Sequence, residues 1–154
     1  MRLKNFLDAR LVLLGLDAAD TESALEAIAR HTARHVDGLD AQAVNRALLV
    51  REATHSTAMG AGVAIPHATL PELDETLLIL AVQGDGIAFG GPGDEPTRVF
   101  FTLLSPPDRE SQHIKLLARI CRLIRHPGFI DALLASDSPD AAVDVIASVD
   151  AQHV

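Results

Sequence analysis

The sequence predicts an α/β protein in which helices cover both faces of a mixed central β-sheet, as a three-layer single domain over residues 1–154. Short apolar runs rich in branched residues occupy the middle of the chain, and helical patterns flank them on both sides. Two of these runs, Thr76–Val82 and Val99–Leu104, are almost continuously apolar, which is typical of strands that are buried on both faces. A chain of 154 residues is long enough to bury one core without metal or disulfide support.

The N-terminal third of the chain predicts one strand and two helices. Residues 10–16, RLVLLGL, form an apolar run of strand length. An amphipathic helix follows, with Asp20 or Thr21 as its N-cap, because short polar side chains accept hydrogen bonds from the first helical N–H groups. A second helix begins near Asp40 and ends near Glu52.

The middle of the chain predicts three strands separated by turns. Their segments are GVAIPH, TLLILAVQ and RVFFTLLS, bounded by glycine and proline. Between the second and the third lies QGDGIAFGGPGDEP, whose five glycines and two prolines predict a hairpin-type loop rather than a long regular element. These glycines match neither the dinucleotide-binding pattern nor the P-loop, which also requires a lysine.

The C-terminal third predicts three helices. The first lies in PDRESQHIKLLARICRLIRHPG and ends at the Pro-Gly pair. Its apolar residues recur at steps of three, four and three, and they are Ile114, Leu117, Cys121 and Ile124. Two shorter helices follow in FIDALLAS and SPDAAVDVIAS, the second with Ser138 as its cap and Pro139 at its first position.

Composition and charge exclude several classes of function. Thirteen basic residues against 21 acidic residues give a formal charge of −8, which opposes binding to nucleic acid or anionic lipid. The chain has no Trp and no Tyr, so it lacks the aromatic platforms on which bases and sugar rings stack. It has no apolar run that could insert into a bilayer and no convincing signal peptide, which predicts a cytoplasmic protein. The single cysteine, Cys121, is interpreted as a packing residue.

The segment MGAGVAIPHATL, Met59–Leu70, places a histidine directly after a proline at the end of a predicted strand. Pro66 restrains the backbone that leads into His67, so the imidazole is held in place. A histidine there can act as a nucleophile, a metal ligand, a general base or a polar residue at a strand end. His31 and His35 lie four residues apart on the first helix, but no third metal ligand has a recognisable spacing, and such a pair is more typical of a solvated face.

Phosphoryl transfer through His67 requires positive or hydrogen-bond-donating groups around the phosphoryl oxygens. The chain offers Arg51 at the end of the second helix and His113 at the start of the long C-terminal helix, where backbone N–H groups also favour an anion. Each has a plainer interpretation, Arg51 as a surface charge paired with Glu52 or Glu110, and His113 as a helix-surface residue. A serine hydrolase is disfavoured because the G-x-S-x-G elbow is missing.

Two long segments resemble a known family. REATHSTAMGAGVAIPHATL and EPTRVFFTLLSPPDRESQHIKLLARICRLI closely resemble enzyme IIA of the bacterial phosphoenolpyruvate-dependent phosphotransferase system, in the fructose/mannitol class that includes the nitrogen-regulatory branch. The resemblance spans nearly the whole chain, and the R-E…G-x-G-x-A-x-P-H pattern followed by HIKLLA is specific. It implies a mixed sheet sandwiched by helices, with neither a metal nor an organic cofactor.

By that resemblance, His67 is the residue that becomes phosphorylated, with phosphohistidine of the carrier protein HPr, or of its nitrogen-branch counterpart, as the donor. His113 is then the second active-site histidine, which contacts the phosphate or orients His67, and Arg51 is the arginine beside it. A IIB component or a regulatory target protein is the implied acceptor. The chain departs from the family at two positions. A glycine often follows the phosphorylated histidine in the family, where this chain has Ala68. The family also often has a glycine near the position of His55, which is either a loop residue or an extra donor in this chain.

Three alternatives remain open at this point. The absence of fused IIB, IIC or HPr modules and of aromatic sugar platforms favours a nitrogen-regulatory IIA protein over a sugar-specific one, although sugar-specific IIA proteins also occur as free chains. A non-catalytic binding module is the alternative from another class, against which His67, His113 and Arg51 together argue.

A partner phosphohistidine must approach His67 closely, so small or apolar residues are expected around it, namely Met59, Gly60, Ala61, Ala68 and Leu70.

Overall fold

Six strands form one mixed sheet in the computed structural model, which describes residues 2–90 and 95–153. They are β1 (Val12–Leu14), β2 (Ala58–Gly60), β3 (Val63–Ala64), β4 (His67–Thr69), β5 (Leu77–Ile87) and β6 (Thr97–Ser105). Their order is β1-β5-β6-β3-β2, with β4 also pairing with β6. Because β5 and β6 are antiparallel whereas β1 is parallel to β5 and both β3 and β4 are parallel to β6, the sheet is mixed as predicted.

β3 and β4 are two parts of one interrupted strand that lies alongside β6. Val63 pairs with Val99 and His67 pairs with Leu103, so the residue pairs on either side of the interruption keep the same offset. The interruption is Ile65-Pro66. Proline has no N–H to donate, but its carbonyl oxygen accepts a hydrogen bond from the N–H of Leu103 at 2.9 Å. The register therefore continues through the interruption, which fixes the position of His67 on the sheet.

Five α-helices in the described residues cover the two faces of the sheet. They are α1 (Thr21–His35), α2 (Ala41–Thr54), α3 (Glu110–Ile124), α4 (Phe129–Leu134) and α5 (Pro139–Ala151). α1 packs on α2, and α4 packs on both α3 and α5. Successive residues of β5 and β6 are buried over 78–83 and 99–105. Since neighbouring side chains of a strand point to opposite faces, both faces are covered, which confirms the three-layer fold.

The helix starts agree with the predicted caps. The side chains of Asp20, Asp40 and Ser138 each accept a hydrogen bond from a backbone N–H in the first turn of α1, α2 and α5. Pro139 occupies the first position of α5, as predicted. Within the described ranges, we find no helix with the length and apolar character needed to cross a membrane.

The connection between β5 and β6 is more regular than the predicted loop. β5 continues past the predicted end at Val82 as far as Ile87, which pairs with Thr97. Gly84 and Gly86, which favour a loop in the sequence, lie inside β5 where the register between the two strands shifts. Residues 91–94 of the predicted loop lie outside the described residues.

Two predictions near the sheet edges were wrong in detail. The predicted strand over residues 10–16 is shorter, because residues Ala9–Leu11 form a 3₁₀ turn capped by Asp8 and only β1 is extended. The sequence also did not indicate β2, which pairs antiparallel with β3 through a two-residue turn at Ala61 and Gly62. Both turn residues have positive φ, of 55° and 79°, as type I′ hairpin turns require.

The buried face of α3 also differs from the predicted one. The core-facing residues lie one position before the predicted ones at every step, and they are His113, Leu116, Ile120 and Leu123. Ile114 is instead 59% exposed. The predicted face was wrong because it was chosen from apolar residues alone, and a histidine occupies one of the buried positions of this helix. Cys121 is partly buried and packs against the core, as predicted.

A buried ion pair joins both ends of the described chain to α3. Asp150 of α5 is 1% exposed, accepts a hydrogen bond from the N–H of Leu3 at 2.7 Å and pairs with the guanidinium of Arg119. Arg119 also donates to the carbonyl oxygens of Asp150 and His153, at 3.1 and 2.6 Å. The buried charges are thus both paired and hydrogen-bonded, which is the condition under which burial is tolerated.

We expect Asp150→Ala to lower the free energy of unfolding by about 3 kcal/mol, because the Arg119 charge would stay mostly buried without its partner. Chemical denaturation followed by circular dichroism measures the loss. Asp144→Ala is the matched control, since Asp144 lies on the exposed side of the same helix and its removal changes stability by about 0.5 kcal/mol or less. Equal losses for the two variants would contradict this account of Asp150.

Candidate active site

His67 is the first residue of β4, where the strand resumes after Pro66. Its imidazole is half-buried, and its Nδ1 lies 2.8 Å from the carbonyl oxygen of Ile65. Because a carbonyl oxygen can only accept a hydrogen bond, Nδ1 carries the proton and donates it to Ile65. In the neutral ring the available lone pair is therefore on Nε2, which is the nitrogen free to react.

The surroundings of His67 keep its ring neutral near pH 7. Burial lowers the pKa of the His67 imidazole below its usual value of 6.5, because desolvation penalises the charged form. The hydrogen bond to Ile65 opposes this shift, the positive charge of Arg51 adds to it, and the carboxylate of Glu52 opposes it. A neutral imidazole has the lone pair that a nucleophile needs, and a protonated one does not.

His113 lies in the first turn of α3 and meets His67 edge-on. The ring centroids are 5.4 Å apart, with an angle of 60° between the ring planes. His113 is buried, and its Nδ1 lies 2.7 Å from the hydroxyl oxygen of Ser105 at the end of β6. Burial lowers the pKa of the His113 imidazole, and the charge of His67 lowers it further. The interpretation of His113 as a helix-surface residue is therefore wrong.

Arg51 lies in the last turn of α2 and lines the same groove as His67. One of its terminal nitrogens, Nη1, donates to the carbonyl oxygen of His55 at 2.9 Å, which holds the guanidinium across the end of the helix. Over residues 2–90 and 95–153, Arg51 forms an ion pair with neither Glu52 nor Glu110, so its interpretation as a paired surface charge is wrong. A guanidinium has five N–H donors, which leaves donors for an anion in the groove.

An open groove of about 690 Å³ brings the three residues together. α2 forms one wall, and β4 with the residues after it forms the other. Arg46 and Arg51 make the groove positive on a chain of net charge −8, and Glu72 is the carboxylate in its lining. The lining consists of Ala43, Arg46, Ala47, Val50, Arg51, Thr54, His67, Ala68, Thr69, Leu70, Pro71, Glu72 and His113. A partly apolar groove with two guanidinium groups, beside the unprotonated Nε2 of His67, can bind an anionic group.

A smaller cavity of about 230 Å³ also contacts Arg51 and His67. Met59 and Cys121 line it, and their sulfur atoms are 3.9 Å apart. Met59 is 47% exposed, so it is available to a partner at the edge of the site.

The other small residues predicted around His67 divide into two groups. Ala68 and Leu70 line the groove, although little of either is exposed. Gly60 lines neither cavity, and Ala61 lines a separate cavity near Arg98. Of the residues expected around His67, Met59, Ala68 and Leu70 therefore line a cavity beside it, whereas Gly60 and Ala61 do not.

Three groups of the site were not predicted from the sequence. They are the carbonyl of Ile65, the carboxylate of Glu52 and the hydroxyl of Ser105. Glu52 accepts hydrogen bonds from the N–H and the hydroxyl of Thr57, at 2.6 and 2.8 Å, and its charge acts on His67. The sequence signal for Glu52 was its position directly after Arg51 in the R-E pair. Nothing in the sequence indicates the Ile65 carbonyl or Ser105, since both depend on where β4 lies relative to β6.

The remaining histidine candidates lie outside this site. His31 and His35 are neighbours on α1, with ring centroids 4.6 Å apart, and the Nε2 of His31 lies 2.8 Å from the carbonyl oxygen of Arg10. Among the described residues, no cluster of three or more His, Cys, Asp or Glu side chains is placed to hold a metal ion. His55 is exposed and lines neither of the cavities beside His67, which agrees with its interpretation as a loop residue.

We expect the imidazole of His67 to titrate below pH 6.5 in proton NMR spectra, because burial lowers its pKa. Arg51→Gln should raise that midpoint, since it removes a positive charge that disfavours the protonated ring. Arg46→Gln is the control: Arg46 lines the same groove but is not among the groups that shift the pKa of His67, so its removal should leave the midpoint in place. A midpoint that falls in Arg51→Gln would contradict the electrostatics described here.

Comparison with known proteins agrees with the fold. The family described as "Phosphoenolpyruvate-dependent sugar phosphotransferase system, EIIA 2" matches residues 5–149. A nitrogen regulatory protein of Bradyrhizobium diazoefficiens is 33% identical over 147 residues, covering 96% of this chain and 95% of that protein. The crystal structure of the nitrogen regulatory protein IIA-Ntr from Neisseria meningitidis is similar in fold, with a TM-score of 0.85 and 20% identity over 94% of this chain and 98% of that one.

A second solved structure with the same fold comes from the sugar branch. It is the complex of enzyme IIAMTL and phosphorylated enzyme IIBMTL from Escherichia coli, with a TM-score of 0.76 and 22% identity over 92% of this chain and 97% of that one. The match over residues 5–149 and the 33% identity to a relative of nearly equal length show the family directly. This chain belongs to the EIIA 2 family of the phosphoenolpyruvate-dependent sugar phosphotransferase system.

Proposed function

We propose that this protein is a phosphocarrier in which the Nε2 of His67 accepts a phosphoryl group and passes it to a second protein. The observation that supports this most directly is the hydrogen bond from His67 Nδ1 to the carbonyl of Ile65, because it leaves the reactive lone pair on Nε2. The groove adds Arg51 and His113 as donors for the phosphoryl oxygens. Membership of a phosphotransferase family supports the same function.

The transfer balances in atoms and charge when the donor is a phosphohistidine. The Nε2 lone pair of His67 forms the new N–P bond, and the N–P bond of the donor breaks with its electron pair returning to the donor ring. A donor ring that is protonated on its other nitrogen leaves as neutral imidazole, and His67 becomes the positively charged phosphorylated ring. The carbonyl of Ile65 opposite Nδ1–H then stabilises that positive charge.

Arg51 and His113 have different parts in this proposal. Arg51 supplies a permanent positive charge and several N–H donors to the phosphoryl oxygens. His113 is buried beside His67 and supplies a donor from its own ring. Because burial keeps both imidazoles neutral near pH 7, Arg51 is the permanent cation among the three residues. No metal or organic cofactor has a part in this scheme.

The donor in this proposal is the phosphohistidine protein HPr or its nitrogen-branch counterpart. The acceptor is a IIB component, as in the mannitol complex of IIAMTL with phosphorylated IIBMTL, or a regulatory target protein. We favour the nitrogen-regulatory branch, because the relative that is 33% identical over nearly its whole length is a nitrogen regulatory protein. A sugar-specific IIA component is the second candidate. Since phosphoenolpyruvate is a metabolite of the cytoplasm, the proposal places the protein there.

Exposed apolar side chains support docking of a partner around His67. Among the described residues, the large exposed hydrophobic side chains are Val50, Met59 and Ile114. Val50 lines the groove, Met59 lines the adjacent cavity, and Ile114 follows His113 on α3. Exposed apolar side chains that surround one polar site are typical of a protein-binding surface.

Phosphorylation would also change what binds this face. A phosphoryl group that ionises as phosphoserine does carries about −1.5 to −2 charges, of which the positively charged ring of phosphorylated His67 offsets one. The chain already carries a net charge of −8, so the modification would repel acidic partners and attract basic ones. The non-catalytic binding module, our alternative from another class, would use the same face without this change. Equal binding of the phosphorylated and unmodified protein to every candidate partner would favour that alternative.

We expect the protein to gain one phosphoryl group when incubated with phosphoenolpyruvate, enzyme I and either HPr or its nitrogen-branch counterpart, as measured by intact mass. His67→Ala should abolish the gain because it removes the nucleophile. Arg51→Ala and His113→Ala should slow it at least about tenfold, since each removes a donor to the charged phosphoryl oxygens.

His55→Ala is the matched control, because His55 is exposed and lines neither cavity, and it should react at the rate of the parent protein. Label that persists in His67→Ala would overturn the proposal. Comparison of the two donors also separates the branches, since faster transfer from the nitrogen-branch protein supports the regulatory candidate and faster transfer from HPr supports the sugar-specific one.

We also expect the phosphoryl group to be on Nε2 of His67, because Nδ1 is occupied by its hydrogen bond to Ile65. Phosphorus–nitrogen couplings in ¹⁵N-labelled phosphoprotein identify the substituted nitrogen. Detection of the coupling on Nδ1 would mean that the Ile65 hydrogen bond does not select the reactive nitrogen.

A further inference from the structure

A short chain of buried polar side chains leads away from His113 on the side of Nδ1. Ser105 is fully buried at the end of β6, and its hydroxyl oxygen lies 2.7 Å from His113 Nδ1. The hydroxyl of Thr76, also buried, lies 3.5 Å from that of Ser105. On its other side, Thr76 donates to the side-chain oxygen of Gln112 at 2.7 Å. The proposed phosphoryl transfer assigns no part to Ser105, Thr76 or Gln112.

The distances determine where each hydroxyl hydrogen lies. A hydroxyl has one hydrogen to donate, and that of Thr76 is used by Gln112, whose side-chain oxygen can only accept. The contact of 2.7 Å between Ser105 Oγ and His113 Nδ1 is an optimal hydrogen-bond length, and its direction depends on which ring nitrogen of His113 carries the hydrogen. If Nδ1 donated, the hydrogen of Ser105 would be left with the Thr76 oxygen at 3.5 Å, which is at the outer limit of a hydrogen bond. The arrangement that gives both hydroxyls a short bond is donation from Ser105 to Nδ1, with the hydrogen of the neutral His113 ring on Nε2.

We propose that Ser105 is a positioning residue that holds His113 in the tautomer with an Nε2–H, so that this ring presents a hydrogen-bond donor to the phosphoryl group on His67. The proposal rests on the proposed phosphocarrier function of this site. It gives His113 a defined part as donor, and it makes Ser105 act through His113 rather than on the phosphoryl group itself.

The position of Ser105 in the fold supports its role in positioning His113. β6 is the strand with which β4 pairs, and Ser105 lies opposite Thr69, two residues after His67 on β4. The N–H of Leu70 donates to the carbonyl oxygen of Ser105 at 2.9 Å, which holds the backbone of Ser105 beside the groove. One strand thus holds both His67, by backbone pairing, and His113, by a side-chain hydrogen bond.

The experiment compares Ser105→Ala with two matched variants. Ser105→Thr keeps the hydroxyl, and Thr76→Val removes a neighbouring buried hydroxyl that does not donate to His113. We expect Ser105→Ala to slow phosphoryl transfer to His67 by about threefold to tenfold, the effect of losing one neutral hydrogen bond, whereas both matched variants stay within about twofold of the parent. Thermal unfolding confirms that each variant is folded before its rate is compared.

A second background shows whether Ser105 acts through His113. In His113→Ala, the further change Ser105→Ala should have no effect on the rate, because the hydrogen bond is already lost. Long-range ¹H–¹⁵N NMR spectra of the imidazole nitrogens supply a readout that a purely structural role would not change. We expect His113 of the parent protein to be protonated on Nε2 alone, and we expect Ser105→Ala to lose that single tautomer.

Three results would overturn the proposal: a proton on Nδ1 of neutral His113 in the parent protein, an unchanged rate together with an unchanged tautomer in Ser105→Ala, or an equal slowing by Ser105→Ala with and without His113. Failure of the proposed function is distinguishable from each of these. In that case the parent protein takes up no phosphoryl group from either donor, while the NMR spectra still report whether Ser105 sets the tautomer of His113.

Discussion

The parallel pairing of residues 63–69 with β6 is the constraint on which the candidate active site depends. It places His67 opposite Leu103, and it brings Ser105, the partner of His113, to the same end of the sheet. Because neighbouring side chains on a strand point to opposite faces, a shift by one residue would turn His67 away from α2 and separate it from Arg51. The backbone pairing of one strand therefore determines how the side chains of the candidate site meet.

The hydrogen bonds at the interruption, Ile65-Pro66, are a second constraint on the site. The N–H of Ile65 donates to the carbonyl of Thr57, and the carbonyl of Ile65 accepts the hydrogen of His67 Nδ1. The register nevertheless continues, because the N–H of Leu103 donates to the carbonyl of Pro66. Backbone geometry therefore leaves the lone pair of the neutral His67 ring on Nε2, and burial favours that neutral form by lowering the pKa of the ring.

The helices could be predicted from the sequence because caps and periodicity are local signals, as the starts of α1, α2 and α5 show. β2 and the far half of β5 could not, because their extended form depends on partners distant in the chain, and Gly84 and Gly86 indicate a loop when taken alone. His67, Arg51 and His113 could be selected as candidates from their residue types and from the resemblance to the family, and the structure brings them into one groove. Ser105 could not, because its part depends on the register of β6 and on His113 being buried.

The hydrogen bond between Leu3 and Asp150 means that the two ends of the described fold are immediate neighbours. A short linker could therefore join them, and new ends could be opened at the exposed turn between α1 and α2, at Asp37-Gly38. Such a circular permutant would begin close to α2, the helix that carries Arg51, and would leave the sheet and the groove uncut. The architecture is thus suited to insertion inside another protein with the groove beside His67 still open.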